Sequence, residues 1–275
     1  MQRILVIGDD PTLSAGMSQR LQNSEVEIAE GNAEALQRLR QRPFDLVLTN
    51  PQSSVQEDLA LVSEIESIRP GLKTIILAPA ATPEDVIAAL RARVFACFSS
   101  PLDINEVAAM VARAPEAGNW RAGIEVLSAE PDWIALRVNC QILTADRLLR
   151  FMAEFRSDLA DRDRSTLLTA FREILLNAME HGAGFDSEKV IEVNAVRTKR
   201  AIVYRFRDPG PGFREQPLPH AAINNPPDNP VAHMEVREAQ GLRPGGFGIL
   251  LAQQLVDELV FNEMGNEVLL IKHTA

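Results

Sequence analysis

Three short segments in the second half constrain this chain most: Glu173-Ile-Leu-Leu-Asn177-Ala-Met-Glu-His181-Gly182, Asp208-Pro-Gly210-Pro-Gly212-Phe213 and Gly245-Gly246-Phe247-Gly248. Residues four apart on a helix drift by only about forty degrees, so Glu173, Asn177 and His181 are expected to share one polar edge. Leu168, Phe171, Leu175 and Ala178 form the apolar stripe beside it. A carboxylate and an amide on one edge suit a hydrated magnesium ion whose shell is completed by phosphates. Asn177 is thus the candidate metal residue, and Glu173 the candidate base. Asp208 ends a strand-like run and is followed by glycines that let the backbone approach a flat ligand, while its carboxylate can accept a hydrogen bond from an exocyclic amine such as that of adenine. Gly245, Gly246, Phe247 and Gly248 precede an apolar helical run, and amides at a helix start attract phosphate. Each segment alone is an ordinary polar helix edge, turn or helix start. Together, and in this order, they read as a nucleotide pocket.

Around these segments the chain divides by pattern. From Ile4 to about Ala114, continuous apolar runs alternate with amphipathic helical stretches, as in a doubly wound parallel sheet. Strands are expected at Ile4 to Ile7, Glu25 to Ala29, Leu46 to Thr49, Thr74 to Leu77 and Ala96 to Phe98, with helices including Thr12 to Leu21, Ala33 to Leu39 and Ile104 to Ala112. That is a flavodoxin-like α/β count. The stretch Ala114-Pro-Glu-Ala-Gly-Asn119 is the boundary, giving domain 1–114, a linker at 115–121 and a second domain at 122–275. In the second domain, strand pairs Ile124 to Leu127 with Trp133 to Val138, and Val190 to Val196 with Ala201 to Asp208, are joined by helices from Ala145 to Leu159 and through Glu173. A helix from Gly248 to Leu259 and a hairpin around Met264-Gly-Asn266 close an α+β half.

A net charge of −10 over 275 residues argues against a nucleic-acid footprint, so proteins are the expected partners. Cys97 and Cys140 lie far apart in apolar runs, which offers neither a disulfide framework nor a metal spacing. No run suggests a secretory signal or a membrane span, and a cytoplasmic location with no membrane contact is the expectation.

The three segments resemble the N box and the two glycine boxes of the ATPase superfamily shared by gyrase, the Hsp90 chaperone, histidine kinases and MutL (the GHKL group). Asn177-Ala-Met-Glu-His181-Gly182 and the ending Gly-Gly-Phe-Gly-Ile-Leu-Leu-Ala-Gln-Gln-Leu-Val-Asp257 are most similar to anti-sigma-factor serine kinases of the RsbW and SpoIIAB type. The resemblance, from about Trp120 to Ala275, implies a Bergerat ATP-binding sandwich holding ATP and Mg2+, with Glu173 as base. It also implies phosphorylation of serine or threonine on a STAS-type antagonist, a sigma factor and a PP2C-type phosphatase as further partners, and a homodimer. One departure is the proline- and asparagine-rich segment from Arg214 to Pro244, longer than a typical lid of this group and read as a cover over the phosphates.

The first domain resembles the response-regulator receiver. A receiver phosphorylates an aspartate after its third strand, helped by an acidic pair, a hydroxyl and a lysine at other strand ends. Here Asn50 stands at the acceptor, Ala78 at the hydroxyl and Ser100 at the lysine, while Gly8-Asp9-Asp10 keeps Asp9 alone, or both aspartates after a one-residue shift. The resemblance therefore implies a pseudo-receiver that docks or dimerises without phosphorylation. His181, His220, His233 and His273 all lie within or beyond the Asn177 segment, so no phosphoacceptor histidine precedes the ATP domain. The reading is a two-domain kinase. Its alternatives are an ATP-dependent switch that sequesters a sigma factor or antagonist without phosphotransfer, and ATP hydrolysis coupled to dimer closure.

Overall fold

The computed structural model describes residues 1–8, 10–22, 24–156, 159–212, 229, 232–239 and 247–274, apart from the side chains at 11, 12, 233 and 237. The chain forms two compact units, Met1–Ala122 with Asp146–Asp158, and Gly123–Ala145 with Leu159–Ala275.

The first unit holds strands β1 (Gln2–Ile7), β2 (Ser24–Ala29), β3 (Leu46–Leu48), β4 (Lys73–Ala78) and β5 (Ala96–Ser99), all parallel in the order β2-β1-β3-β4-β5. Both faces of the middle of this sheet are covered, which is why a central strand such as β1 is a continuous apolar run: Ile4, Leu5, Val6 and Ile7 are all buried, whereas edge strand β2 carries Glu25 and Glu27 and is mostly half-buried. Helices α1 (Pro11–Arg20), α2 (Asn32–Gln41), α3 (Val55–Ile68), α4 (Pro83–Arg91) and α5 (Ile104–Arg113) connect and flank the strands. Local sequence sets three of their starts. Ser54 with Glu57 and Thr82 with Asp85 form reciprocal capping boxes, and Asp103 accepts from the Asn105 amide, so donors left open by the first turn are satisfied. Trp120 is buried edge-on to Phe95 at 5.4 Å.

The second unit is an antiparallel sheet of β6 (Ile124–Glu130), β7 (Trp133–Asn139), β8 (Val190–Arg197), β9 (Ala201–Arg207), β10 (Glu258–Phe261) and β11 (Glu267–His273), in the order β10-β11-β9-β8-β7-β6. Alternation places Ile202, Tyr204 and Phe206 of β9 inward against α7 (Asp161–Asn177), where Phe171 meets both rings edge-on at 4.8 Å. The buried face of α7 is broader than the stripe read from sequence. It includes Leu167, Ala170 and Ile174, while Leu168 is only half-buried.

Three boundaries differ from the sequence reading. The helix expected at 145–159 runs from Ile142 to Phe155 as α6, and its residues from Asp146 on group with the first unit, not with 122–275 as a whole. The helix expected to reach Leu259 stops at Leu255 as α9 (Gly248–Leu255). The last two residues of that expected helix instead open strand β10, pairing Glu258 with Ile271 and Leu259 with Leu270. The Asn262–Gly265 turn, with Gly265 at φ +74°, brings β11 alongside and gives that stretch a ladder of backbone hydrogen bonds. A further helix, α8, spans Ala232–Ala239.

Candidate functional site

The second unit brings parts of all three segments together. Glu173 and Asn177 lie one turn apart near the end of α7, packed against the start of α9. A methyl built on Gly248 would sit 2.7 Å from Glu173 Oε2 and 3.2 Å and 3.5 Å from Asn177 Nδ2 and Oδ1. Carboxylate and amide thus converge on the first residue of α9, and a side chain there would displace the end of the Glu173 side chain. Glu173 Oε1 is also 3.6 Å from the Arg172 guanidinium.

The regular helix ends at Asn177, and Ala178–Gly182 form a π-helical turn. Such turns are uncommon and recur at functional sites. The α-helical spacing that would align His181 with Glu173 and Asn177 is therefore interrupted, and His181 is exposed beyond that edge. The turn instead presses Gly182 onto Asp208: an added methyl would lie 2.2 Å from the Asp208 Cγ and Oδ1.

Asp208 follows β9 and is half-buried. Burial raises its carboxyl above the usual carboxylate range, opposed by the Gly210 amide donating to Oδ1 at 2.8 Å. A methyl on Gly210 would lie 2.7 Å from the Gly182 carbonyl oxygen. Gly212 has φ +73° and its Cα faces Met264 O, so a side chain there is excluded on two counts. The terminal hairpin buttresses this glycine run: Asp208 donates its amide to Asn266 O at 3.0 Å, and Asn266 Nδ2 donates to Gly210 O at 3.3 Å. Asn262 Oδ1 holds the hairpin by accepting the amides of Gly265, Asn266 and Glu267. Sequence reading missed this supporting role, although the asparagines flanking Met264-Gly265 were a signal for it.

Phe247 caps the start of α9 and is exposed. Gly245, Gly246, Phe213, His220 and most of the 214–244 segment lie outside the described residues. Among the described residues no group of three or more His, Cys, Asp or Glu side chains could hold a metal ion. A magnesium ion would thus rest on the Asn177 amide together with phosphate and water oxygens, which suits this cation. The cradle of glycines at 182, 210 and 248 around Asp208, Glu173 and Asn177 fits a nucleotide.

In the first unit, Asn50, Ala78 and Ser100 lie at the C-terminal ends of β3, β4 and β5. The Asn50 side chain lies over Gly8, whose φ is +99° and where an added methyl would be 2.8 Å from Asn50 Cγ. Asn50 Oδ1 accepts the Gln52 amide, Ala78 is buried, and Ser100 is exposed with its amide donating to Ala78 O at 3.0 Å. Asp9 lies outside the described residues; Asp10 caps α1 by accepting the Leu13 amide. Behind Asn50, the buried Asp58 accepts from Ser53 Oγ at 2.6 Å and from Thr49 Oγ1, and burial pushes its carboxyl up to about 6. Thr49 Oγ1 in turn accepts the Leu77 amide, so this carboxylate ties the loop after β3 to β4.

Residues 4–112 match the family model described as "Response regulator receiver domain", and residues 141–272 match the one described as "Histidine kinase-like ATPase domain". The N-terminal part is thus a receiver domain, and the C-terminal part a histidine kinase-like ATPase domain. Among curated proteins, the chain is 26% identical over 113 residues to the Transcriptional regulatory protein ZraR of Escherichia coli O157:H7, and equally so to that of strain K12. The match takes in 40% of this chain and about a quarter of the length of those relatives. Similar solved structures include a CheY-like response regulator receiver domain protein from Methanospirillum hungatei JF-1, with 25% identity, TM-score 0.38 and coverage of 43% of this chain and 99% of that one. A response regulator from Thermotoga maritima gives 19% identity, TM-score 0.39 and coverage of 42% and 98%. Among the described residues, no helix is long and apolar enough to cross a membrane.

Proposed function

We propose that this protein is a cytoplasmic signalling regulator whose second unit binds ATP with magnesium and phosphorylates serine or threonine on a STAS-type anti-sigma-factor antagonist. The observation that carries the reading is the convergence of Glu173 and Asn177 on Gly248, with Asp208 held against Gly182 in the turn that directly follows Asn177. In this reading Asp208 accepts from the adenine amine, Asn177 supplies an oxygen to magnesium, and the start of α9 faces the phosphates. The γ-phosphoryl group would pass from bound ATP to the partner's hydroxyl oxygen, with ADP as the leaving group. Glu173 takes the proton of the partner's hydroxyl and is held in place by Gly248 and Arg172.

The first unit is, on this proposal, a receiver that is not phosphorylated. An amide at Asn50 is no nucleophile, Ala78 offers no hydroxyl, and Ser100 offers no cation. It serves docking or dimerisation, with a sigma factor and a PP2C-type phosphatase as further partners.

The test is transfer of label from γ-labelled ATP to candidate STAS proteins of the same genome, using wild type and Glu173→Gln. Wild type should label its partner, and the variant should bind ATP normally but lose about 100-fold or more in transfer, the scale of a general base. Labelling that survives in the variant removes Glu173 from the mechanism. ATP binding without any labelling by wild type leaves the non-catalytic switch as the reading.

A further inference from the structure

Helix α6 carries a face whose chemistry the proposed kinase does not use. Asp146, Arg147, Arg150 and Glu154 fall within about one hundred degrees of arc on the helix, beside an apolar arc of Leu148, Phe151, Met152 and Phe155. All four apolar side chains are buried. The polar arc is also engaged, entirely within the first unit. Arg147, 3% exposed, donates to Phe95 O at 2.8 Å and Trp120 O at 2.9 Å, and its guanidinium lies 4.7 Å and 5.1 Å from the centroids of those two rings. Arg150 stacks on Phe98 at 4.6 Å, pairs with Glu106 of α5, and reaches Glu154 at 3.1 Å. Glu154 accepts the Ser99 amide at 3.2 Å and the Ser99 hydroxyl, and Asp146 pairs with Arg113.

Such a contact is held by groups that are costly to desolvate. Buried Arg147 donates to the carbonyls of Phe95 and Trp120 and lies over their rings, and burial lowers its pKa to about 10. Arg150 Nε is buried without a hydrogen-bond partner, and the pair to Glu106 is open to solvent and salt. Desolvation therefore offsets much of what these pairs contribute, unlike an apolar core contact. Covalent order adds a consequence. Ile142–Ala145 group with the second unit, and the chain leaves α6 at Phe155 to enter, at Asp161, the helix bearing Glu173 and Asn177.

We propose that the β5–α5 face of the receiver domain is a docking surface for this chain's own residues 146–155. The charged arc of α6 is a releasable latch on that surface, through which the first unit adjusts the nucleotide site. The latch stands on the contacts above; the adjustment also rests on the reading under Proposed function.

The test uses the full chain, measuring amide hydrogen exchange across α6 and β5 in wild type and Glu154→Gln, with ATP and magnesium affinity by calorimetry. The variant should exchange about tenfold faster in α6 while β1 and β3 stay protected, and raising NaCl from roughly 0.05 M to 0.5 M should shift wild type the same way. ATP affinity should change about threefold or more in the variant. Alpha-6 amides that exchange equally in both proteins overturn the latch. Faster exchange with unchanged ATP affinity overturns the adjustment. A wild type that binds no ATP refutes the nucleotide reading instead, and the exchange comparison still decides the latch. Should Glu154→Gln not fold, Glu106→Gln removes only the exposed pair and should raise α6 exchange about twofold, with no rise counting against the latch.

Discussion

Substituting Gly182 by alanine probes the contact that joins the π-helical turn to Asp208. The new methyl would lie 2.2 Å from Asp208 Cγ and Oδ1 and 2.4 Å from its Cβ. Ordinary carbon contacts need about 3.5 Å or more, so one side must retreat by roughly 1 Å. Neither side is free to do so. Asp208 is tied through its own amide to Asn266 and through Oδ1 to the Gly210 amide, while the turn ends a helix whose Ile174, Leu175 and Met179 are buried. Overpacking of this kind costs about 1–3 kcal/mol. At about 2–4 °C per kcal/mol for a unit of this size, calorimetry should show melting lowered by about 2–12 °C. If Asp208 has the proposed role, a displaced carboxylate would also lose its hydrogen bond to the nucleotide, about 1.5–3 kcal/mol for a charged acceptor, or roughly ten- to hundredfold in ATP affinity. The matching assay is ATP titration of the folded variant. A variant that melts within about 1 °C of wild type and binds ATP equally well refutes the close approach and the assignment of Asp208 built on it.

Asp208→Asn keeps the size of the side chain but loses the anionic acceptor; ATP titration should show affinity down roughly tenfold or more with little change in melting, and unchanged affinity would assign the ligand contact elsewhere. Asp58 predicts a pH dependence for the first unit. Its carboxyl is raised to about 6, so its stabilising effect is full below its unfolded value near 3.9 and is lost as pH rises through about 6. Denaturant unfolding from pH 4 to 6.5 should therefore show a total fall in stability of up to about 3 kcal/mol that is absent in Asp58→Asn, and parallel curves for the two proteins would contradict the burial argument. Both cysteines are free and buried, with the thiol of Cys140 pushed up to about 11 and that of Cys97 further. A thiol-disulfide reagent at neutral pH should titrate neither in the native protein and both in denaturant; rapid native labelling would show an opening that the packing does not provide.

The sequence by itself determined most of the elements and the candidate residues of the site. Unbroken apolar runs, such as Ile4 to Ile7, specify strands buried on both faces, and alternation as in Ile202, Tyr204 and Phe206 specifies strands with one face on a core. These signals are legible because they depend on neighbours within a few residues. The three glycine and carboxylate segments were readable for the same reason. What only tertiary structure decided are contacts between distant stretches: Gly182 on Asp208, Gly248 between Glu173 and Asn177, and Asn266 under Gly210. Local pattern also gave no sign that α7 widens to a π turn after Asn177, or that α9 yields to β10 at the sheet edge. Packing alone turns the polar arc of α6 toward Phe95, Phe98 and Ser99. Helical spacing fixes which side chains share a face, but which surface that face meets depends on how segments far apart in the chain are brought together.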